Sequence, residues 1–383
     1  MTSSTPGRWP SSSGGCATAS GRSSSAASTG RRDRRTTVPP ARKRVGGTPH
    51  FEEVAVAAGV SRATVSRVIN AVPTVDPRIR AAVERAIAEI GYVPNLAARS
   101  LVTRRTDSVA LVISEPPGHV AYETPFLNRL FTDPYIGRVT AGAQEVLRPE
   151  GIHLVIIPAD PPGHHLVLRY LRQGHVDGVL LISNHSADPL PRQLYDLNVP
   201  AVLSARPAQP VPHSYVDVDQ QAGARMAAEH LLALGRRHLA TICGPQDIPP
   251  GRERLVGFRT AVGAAVPHVP GDFTRASGEA AARRLIERYP ETDGIFVAND
   301  LMAEGAVRVL AELGRRVPQD VAVVGFGDSS AALDARPPLT TIHQPVEEMA
   351  GEMAQLLLAR LRDPRRTPRS VIFSPSLVVR QSA

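Results

Sequence analysis

The chain has 383 residues, of which 42% are hydrophobic, and a formal net charge of +8 at pH 7, which predicts two or three domains with sizeable cores. No apolar run approaches the roughly 18 residues of a membrane helix, and the two cysteines exclude a disulfide framework and a structural zinc cluster. The single lysine, Lys43, lies in the N-terminal tail, so the rest of the chain cannot supply the lysine of a P-loop or of a pyridoxal-phosphate site.

The basic charge is concentrated at the N-terminus. Residues 1–47 carry nine Arg and Lys against one acid, residues 48–106 carry a net +3, and residues 107–383 carry a net −3. This asymmetry suggests a polyanionic partner at the front of the protein. Residues 1–47 are rich in Ser, Gly, Thr and Arg, and we expect them to be a disordered basic tail. They are either an over-long gene start, which we favour, or an arm that adds non-specific DNA affinity.

Three short helices are predicted after this tail. Gly59 ends the first helix, Ser61 can cap the second, and Asp76 with the following proline starts a third helix that stops before Gly91. Three helices in about forty residues, with a glycine in the tight turn, are typical of a helix-turn-helix module. The pattern therefore predicts a helix-turn-helix domain over residues 48–93.

The next segment, residues 94–106, is predicted to be a hinge helix and linker. Residues 95–101 can form about two helical turns, and an isolated helix this short is marginal in water. A segment that becomes ordered only on DNA could be coupled to a distant ligand site. The alternative is a simple linker turn.

Residues 107–383 alternate short apolar runs with amphipathic stretches, which predicts an α/β core with parallel sheets covered on both faces. Asp177-Gly178 and Asp293-Gly294 begin similar apolar runs 116 residues apart, which indicates two similar lobes. The predicted strands are Val109–Ile113, Ile152–Ile157, Gly178–Ile182, Ala201–Leu203, His238–Cys243, Gly294–Ala298, Val321–Gly325 and a final run at Ser370–Val379. The predicted helices are Asp133–Arg148, Gln220–Leu234, Arg252–Ala265, Gly278–Tyr289, Leu301–Leu313 and Val346–Leu361.

A series of motifs in residues 48–383 resembles the LacI/GalR family of bacterial regulators. The sequence VAxxAGVSRATVSRVxN at residues 54–70 resembles its DNA-binding headpiece, and GYxPNxxARSL at 91–101 resembles its hinge. The motifs that resemble its effector domain are EHLxxLGRR (229–237), RLxGF (254–258), AND (298–300), VVGF (323–326) and LTTIxQP (339–345). The resemblance implies a helix-turn-helix headpiece and hinge helix, followed by a two-lobed core like that of periplasmic binding proteins.

The headpiece resemblance assigns DNA contacts to the second helix. Small residues at its start would let the backbone approach the major groove, while long donors reach base edges. His50 replaces the usual threonine cap of the first helix, which weakens that cap. The residues that match operator-reading positions are Arg62, Ala63 and Arg67. The residues that match phosphate-positioning positions are Ser61, Thr64, Ser66 and Asn70.

The hinge resemblance assigns two further residues to the DNA complex. Leu101 matches a leucine that the family inserts between base pairs in the minor groove, which kinks the duplex. Ala98 is small enough to let the paired hinge helices of a dimer pack closely.

The core resemblance implies an effector cleft between the lobes, where aromatic faces and planar donors would bind a sugar. The matching residues are Tyr135, Ser183, Arg254, Phe273 and Asn299. Two family carboxylates are replaced, because Gly327 and Ala205 stand at their positions; Asp328 could substitute for one of them by a loop shift. The resemblance implies a sugar effector, but the loss of two hydroxyl acceptors disfavours an ordinary monosaccharide unless Asp328 substitutes. A nucleobase or another non-sugar metabolite is the alternative.

These observations predict a cytoplasmic, homodimeric transcription factor, a repressor that binds a pseudo-palindromic double-stranded operator and responds to a small-molecule effector. No cofactor, metal, membrane or catalytic role is expected. A periplasmic-type carrier protein is disfavoured because the N-terminus lacks a signal peptide and the headpiece would have no use. A nicotinamide-dependent enzyme is disfavoured because no strand is followed by GxGxxG. His153, His164 and His165 are expected to be surface loop residues.

Overall fold

The computed structural model describes residues 50–70, 72–93, 105–115, 132–160, 163–182 and 185–383. The predicted basic tail lies outside these ranges, as do Ser183 and the predicted hinge helix with Ala98 and Leu101. The N-terminal helices are α1 (Phe51–Ala57), α2 (Arg62–Ile69) and α3 (Pro77–Ile90). The core strands are β1 (Ser108–Ser114), β2 (His153–Ala159), β3 (Gly178–Ile182), β4 (Ala201–Ser204), β5 (Ser214–Val218), β6 (Leu239–Cys243), β7 (His268–Pro270), β8 (Gly294–Val297), β9 (Ala322–Gly327), β10 (Thr340–His343), β11 (Ser370–Phe373) and β12 (Ser376–Val378). The core helices are α4 (Pro134–Leu147), α5 (His164–Arg172), α6 (Leu190–Asp196), α7 (Gln220–Ala233), α8 (Pro249–Val262), α9 (Arg275–Arg288), α10 (Asp300–Glu312), α11 (Ser330–Asp334) and α12 (Val346–Arg362).

The N-terminal domain is the predicted three-helix unit. Gly59 (φ +66°) follows α1 and Gly91 (φ +68°) ends α3; both lie in the left-handed region that glycine adopts without a steric penalty. The Asp76 carboxylate accepts a hydrogen bond from the backbone N–H of Arg78 at 2.7 Å, which caps α3 at its start. The helices enclose a small apolar core of Val54, Ala55, Val65, Val68, Val83 and Ala86.

The first lobe is a parallel sheet in the order β11-β5-β4-β3-β1-β2. Successive residues of β1 point to opposite faces, because a strand has a period of two. Val109 and Leu111 join a core cluster with α4 and α12, whereas Ala110 and Val112 join a cluster with α5 and α6. Burial on both faces explains why this strand is a continuous apolar run rather than an alternating one.

The second lobe repeats the arrangement in the order β12-β10-β9-β8-β6-β7, with only β12 antiparallel to its neighbour. Helix α7 packs on β8, β9, β10 and β12, and α8 packs on α7; α9 and α10 cover the opposite face. Each lobe is therefore a three-layer α/β unit.

The chain crosses between the lobes three times. It leaves β5 in the first sheet to enter α7 on the second, returns from β10 to α12 on the first sheet, and passes from β11 to β12. Each crossing begins at the carboxyl end of a strand: β5, β10 and β11 in turn. The lobes are thus joined along one boundary.

Two sequence predictions differ from the structure. The predicted strand Ser370–Val379 is two strands in different sheets, because residues 374–375 form the third crossing.

His164 is not a loop residue: it is buried at the start of α5, with its Nε2 2.9 Å from the carbonyl oxygen of Glu115 and 3.2 Å from Ser114 Oγ. His153 and His165 are exposed. Helix α5 was not predicted; its buried residues are His164, Val167 and Leu171.

Close packing of α4 on α12 requires a glycine, and this yields a stability prediction. A Cβ added at Gly142 would overlap the backbone carbonyl of Glu347, whereas one at Gly351 would lie 3.5 Å from Val146 Cγ2, an ordinary contact. We expect Gly142→Ala to lower the free energy of unfolding by about 1–3 kcal/mol because backbone must move.

Gly351→Ala is the matched control at the same helix pair. It should cause no loss, because alanine is favoured over glycine in a helix by roughly 1 kcal/mol. Urea unfolding of both variants measures the difference; equal stability of the two would contradict this account of the packing.

Candidate functional site

One face of α2 is open to solvent and carries the predicted base-reading residues. The Ser61 Oγ accepts a hydrogen bond from the backbone N–H of Thr64 at 3.2 Å and lies 2.9 Å from the Thr64 hydroxyl. This cap begins the helix where its N-terminal residues can face a duplex. Val65 and Val68 are buried against α1 and α3. The exposed residues of α2 are Arg62, Ala63 and Arg67.

The end of α2 is more enclosed. Ser66 and Asn70 are half-buried, and Asn70 Nδ2 donates a hydrogen bond to Ser66 Oγ at 3.3 Å. His50 makes no side-chain cap on α1, in agreement with the sequence expectation for this position. Asn70 and Ser66 are therefore positioned by each other rather than extended toward solvent.

Arg62 is held by an ion pair within the domain. Its Nη2 lies 2.6 Å from Glu52 Oε1 on α1, and the two side chains are 69% and 54% exposed. Exposed ion pairs contribute less than about 1 kcal/mol. Arg62 can therefore exchange Glu52 for a base or a phosphate at small cost.

The second candidate site is a cavity of about 450 Å³ between the two lobes, which we call the cleft. It lies at the carboxyl ends of the parallel strands, where open α/β sheets generally bind ligands. Ile113, Ser114 and Ile182 line it from the first lobe. The predicted effector residues that line it are Tyr135, Arg254, Phe273 and Asn299.

Arg254 is the centre of a buried hydrogen-bond network in the cleft. Its Nε donates to Gln220 Oε1 at 2.7 Å, Nη1 to the carbonyl of Ala298 at 2.5 Å and Nη2 to Gln344 Oε1 at 3.3 Å. The guanidinium also lies 3.6 Å from the centre of the Phe326 ring. Burial lowers the pKa of Arg254 to about 10, so the side chain stays charged at neutral pH. Two of its five N–H groups have no partner in the described part of the chain, which leaves them for a ligand.

Two buried carboxylates accompany this arginine. Asp217 accepts hydrogen bonds from Gln220 Nε2 at 2.7 Å and from the backbone N–H of Arg206 at 2.9 Å. Asp300 accepts from Thr341 Oγ1 at 2.6 Å and from the backbone N–H of Ser329 at 2.7 Å. Burial raises the pKa of both carboxyls above the ordinary value, although these hydrogen bonds favour the charged form. Both carboxylates line the cleft, as do Ala205 and Gly327, the two positions at which carboxylates were expected from the resemblance and are replaced.

Phe273 is held in a strained backbone conformation. Its φ is +70°, and a non-glycine residue in the left-handed region costs roughly 1–3 kcal/mol. Asn299 Nδ2 donates to the Phe273 carbonyl at 2.8 Å, which steadies the turn. The ring lies against Gly244, where any Cβ would overlap it. Strain of this kind is concentrated at functional sites, and here it presents an aromatic ring to the cleft.

Tyr135 faces the cleft from the start of α4. Its hydroxyl lies 2.6 Å from Ser204 Oγ, at the end of β4. Burial raises the pKa of Tyr135 to about 12, with the hydrogen bond to Ser204 acting in the opposite direction. Tyr135 is therefore a neutral hydroxyl at physiological pH.

The expected place of Asp328 in the cleft is not found. Its carboxylate accepts a hydrogen bond from Arg380 Nη2 at 2.5 Å and lies 3.0 Å from His343 Nδ1, and it does not line the cavity. Burial raises the pKa of Asp328, but the hydrogen bonds and charges of Arg380 and His343 outweigh it and hold this pKa below its ordinary value. Gly327 (φ +127°) and Asp328 (φ +52°) turn the loop so that Ser329 lines the cleft instead.

Two polar contacts join the lobes beside the cleft. Arg138 on α4 donates to the carbonyl of Gly327 in the second lobe at 2.8 Å. Its bidentate ion pair with Glu347 on α12, at 2.6 and 2.7 Å, lies within the first lobe and orients the guanidinium. His185 Nδ1 in the first lobe lies 2.7 Å from Asp247 Oδ2 in the second. The lobes are thus held together by polar contacts that a movement of the lobes would have to rearrange.

Sequence comparison identifies the family. Residues 50–95 match bacterial regulatory proteins, lacI family, and residues 228–383 match the periplasmic binding protein-like domain. The HTH-type transcriptional regulator CelR of Thermobifida fusca is 46% identical over 344 residues, which cover 87% of this chain and 98% of that protein. The chain belongs to the LacI family. It is a DNA-binding transcriptional regulator.

Solved structures agree with this assignment. A transcriptional regulator CelR–cellobiose complex superimposes with a TM-score of 0.67 at 43% identity, covering 88% of this chain and 100% of that chain. The lac repressor dimer bound to operator and the anti-inducer ONPF superimposes with a TM-score of 0.75 at 26% identity, covering 88% and 99%. The helix-turn-helix domain and the two-lobed core are therefore those of the family.

Sequence reasoning missed several cleft residues. Asp300 and Gln344 lie inside motifs that were recognised, but only Asn299 of these motifs was assigned to the cleft. Asp217 is the last but one residue of an unpredicted short strand, so only its position near a strand end could have indicated a role. The described residues contain no cluster of His, Cys, Asp and Glu suited to a metal ion. None of the helices described is both long and apolar enough to cross a membrane.

The Arg62–Glu52 ion pair yields a prediction for DNA binding. Glu52→Gln should raise operator affinity about two- to five-fold, because Arg62 is released and a negative charge near the phosphates is removed. Fluorescence anisotropy with labelled duplex measures the change. Glu53→Gln removes a carboxylate from the same helix that makes no ion pair with any residue the structure describes. An equal gain from both variants would show a general charge effect and contradict the competition for Arg62.

Proposed function

We propose that the protein is a homodimeric repressor whose operator affinity is lowered by an unphosphorylated, disaccharide-sized carbohydrate bound in the cleft. The observation that supports this most strongly is the cleft itself, whose 450 Å³ lies within the roughly 300–1,000 Å³ usual for small-molecule sites. The two headpieces of a dimer would bind the two halves of a pseudo-palindromic operator. Such a protein would act where the chromosome lies, in the cytoplasm, and would have no catalytic role.

The chemistry of the cleft suits a carbohydrate. Sugar rings have apolar faces that pack on aromatic rings, and their hydroxyls both donate and accept hydrogen bonds. Phe273 and Tyr135 offer aromatic faces, Arg254 offers planar donors, and Asp217 and Asp300 offer acceptors. We propose that these residues contact the effector, together with Asn299 and Ser183.

The charge balance favours a neutral ligand. Arg254 is accompanied by two buried carboxylates, and Arg138 is paired with Glu347. A phosphorylated sugar would require a surplus of positive charge, which this arrangement does not provide. The solved structure of CelR with cellobiose supports a β-linked glucose disaccharide as the first ligand to test.

On DNA, we propose that Arg62, Ala63 and Arg67 read base edges while Ser61, Thr64, Ser66 and Asn70 position phosphates. The exposure of Arg62, Ala63 and Arg67 and the cap at Ser61 support the base-reading part of this assignment. The phosphate contacts of Ser66 and Asn70 rest on the family resemblance, because both side chains are half-buried. Ala98 would let the hinge helices of the two protomers pack closely, and Leu101 would insert between base pairs at the operator centre, as in the family to which the chain belongs.

The function is tested with the full chain and an operator obtained by selection from random duplexes. Cellobiose should lower operator affinity at least about five-fold, since couplings of this size are typical of allosteric proteins. Glucose, ribose and hypoxanthine are the comparison ligands, and anisotropy is the readout. Failure to prefer any duplex over scrambled competitor would overturn the regulator assignment. A response to hypoxanthine alone would overturn the carbohydrate assignment.

The cleft assignment is tested by moving Phe273 without changing it. Gly244→Ala places a Cβ against the Phe273 ring, so cellobiose should bind about ten-fold more weakly or worse by calorimetry. Operator affinity without ligand should not change, because Gly244 follows β6 in the second lobe, whereas the linker residues 105–107 contact Asp177 and Leu361 in the first. Gly351→Ala is the control for a glycine replacement elsewhere in the core. Unaltered cellobiose affinity in Gly244→Ala would remove Phe273 from the binding site.

A further inference from the structure

The two similar sequence segments that begin with Asp-Gly share a structural role. The Asp293 carboxylate accepts hydrogen bonds from the backbone N–H groups of Arg237, at 3.0 and 3.1 Å, and of His238, at 2.8 Å. These residues immediately precede β6, the strand with which the chain enters the second sheet. Asp293 therefore holds the start of its lobe.

Asp177 does the same in the first lobe, but on a different segment. Its Oδ1 accepts hydrogen bonds from Thr106 N at 2.7 Å and Thr106 Oγ1 at 2.9 Å, and its Oδ2 accepts from Asp107 N at 3.0 Å. Hydrogen bonds to a charged acceptor are about twice as strong as neutral ones. Thr106 and Asp107 are the residues through which the chain from the DNA-binding domain enters the core. We call this contact the linker clamp.

Continuous elements connect the linker clamp with the cleft. β1 begins beside the clamp at Ser108 and ends at the cleft with Ser114, about 20 Å away at 3.3 Å per residue. β3 begins at Gly178, next to Asp177, and ends at the cleft with Ile182; the two strands are hydrogen-bonded neighbours. The clamp and the cleft are thus the two ends of one rigid strand pair.

Helix α12 makes a second connection between the same two regions. It starts at the cleft, where Val346 lines the cavity and Glu347 pairs with Arg138. Near its other end the carbonyl of Leu361 accepts a hydrogen bond from Arg105 Nη2 at 3.4 Å. The linker residues 105–107 therefore touch two elements that both reach the cleft.

We propose that Asp177 is the positioning residue that couples the cleft to the DNA-binding domain. Its carboxylate fixes the linker to the first lobe, so that a reorientation of this lobe on ligand binding is transmitted to the segment that leads to the headpiece. Without the clamp, the lobe can move and the linker does not follow. This inference rests on the proposed control of operator binding by a cleft ligand.

Asp293 provides a matched control within the same chain. Like Asp177 it accepts hydrogen bonds from two consecutive backbone N–H groups at the start of a sheet, although it lacks a hydroxyl donor such as that of Thr106. The residues that it holds follow α7 rather than the DNA-binding domain. A carboxylate that only stabilises a strand end would behave alike in both lobes. A coupling residue would not.

The experiment compares Asp177→Asn, Asp293→Asn and Thr106→Val in the full-length protein with cellobiose as the ligand. Asparagine at position 177 replaces one acceptor oxygen by an N–H₂ donor, which cannot accept a hydrogen bond from a backbone N–H. Valine at position 106 removes only the hydrogen bond from the Thr106 hydroxyl to Asp177. Operator affinity is measured by anisotropy with and without saturating cellobiose, and cellobiose affinity without DNA is measured by calorimetry. Thermal unfolding of each variant records the structural cost.

In wild type the ratio of the two operator affinities is the coupling factor, expected at about five-fold or more. Asp177→Asn should reduce that factor to below about two-fold, Thr106→Val should give an intermediate value, and Asp293→Asn should retain it. Cellobiose affinity without DNA should be the same in all four proteins. The midpoints of Asp177→Asn and Asp293→Asn should fall by similar amounts, because each loses hydrogen bonds to one carboxylate.

The inference is overturned if Asp177→Asn keeps the coupling factor of the wild-type protein. It is also overturned if Asp293→Asn loses as much coupling as Asp177→Asn, because that would show a general effect of stability. Absence of coupling in the wild-type protein would instead overturn the proposed function. The two failures are therefore distinguishable.

Discussion

A buried positive charge at the bottom of the cleft organises the core of this regulator. The guanidinium of Arg254 cannot lie in an apolar interior without partners, because an unpaired buried charge costs several kcal/mol. The partners come from different parts of the chain: Gln220 starts the helix after the first crossing, Gln344 lies in the second crossing, and Ala298 ends a strand of the second sheet. The network therefore fixes the boundary between the lobes where the ligand cavity forms.

The same boundary makes the cleft able to change shape. Hydrogen bonds cross it beside the cavity, from Arg138 to the carbonyl of Gly327 and between His185 and Asp247. One apolar cluster also spans the two lobes, whereas each lobe has a separate apolar layer under its outer helices. Polar contacts can be exchanged for contacts with a ligand at little net cost, but packed apolar layers move as units. A ligand between such lobes acts on their relative orientation, and by thermodynamic linkage DNA must in turn affect the ligand.

The DNA-binding domain is attached to only one of the two similar lobes. Asp177 and Asp293 hold equivalent strand starts, yet only the residues held by Asp177 continue toward the headpiece. The same kind of contact thus occurs in both lobes. At Asp293 it stabilises the start of a strand, and at Asp177 it also holds the linker that leads to the DNA-binding domain. This asymmetry arises from the order of elements along the chain, because in both lobes the carboxylate accepts hydrogen bonds from two consecutive backbone N–H groups.

The amino-acid sequence alone determined the local features: the caps at Ser61 and Asp76, the left-handed glycines that end helices, and the apolar runs that became doubly covered strands. These follow from backbone geometry and periodicity over a few residues, and the ordered motifs indicated the family. Only the tertiary structure decided which carboxylates reach the cleft. Asp217 and Asp300 do, whereas the loop after Gly327 turns Asp328 onto Arg380. The physical reason is that the cleft joins segments more than a hundred residues apart, and no local pattern records their register or the direction of a loop.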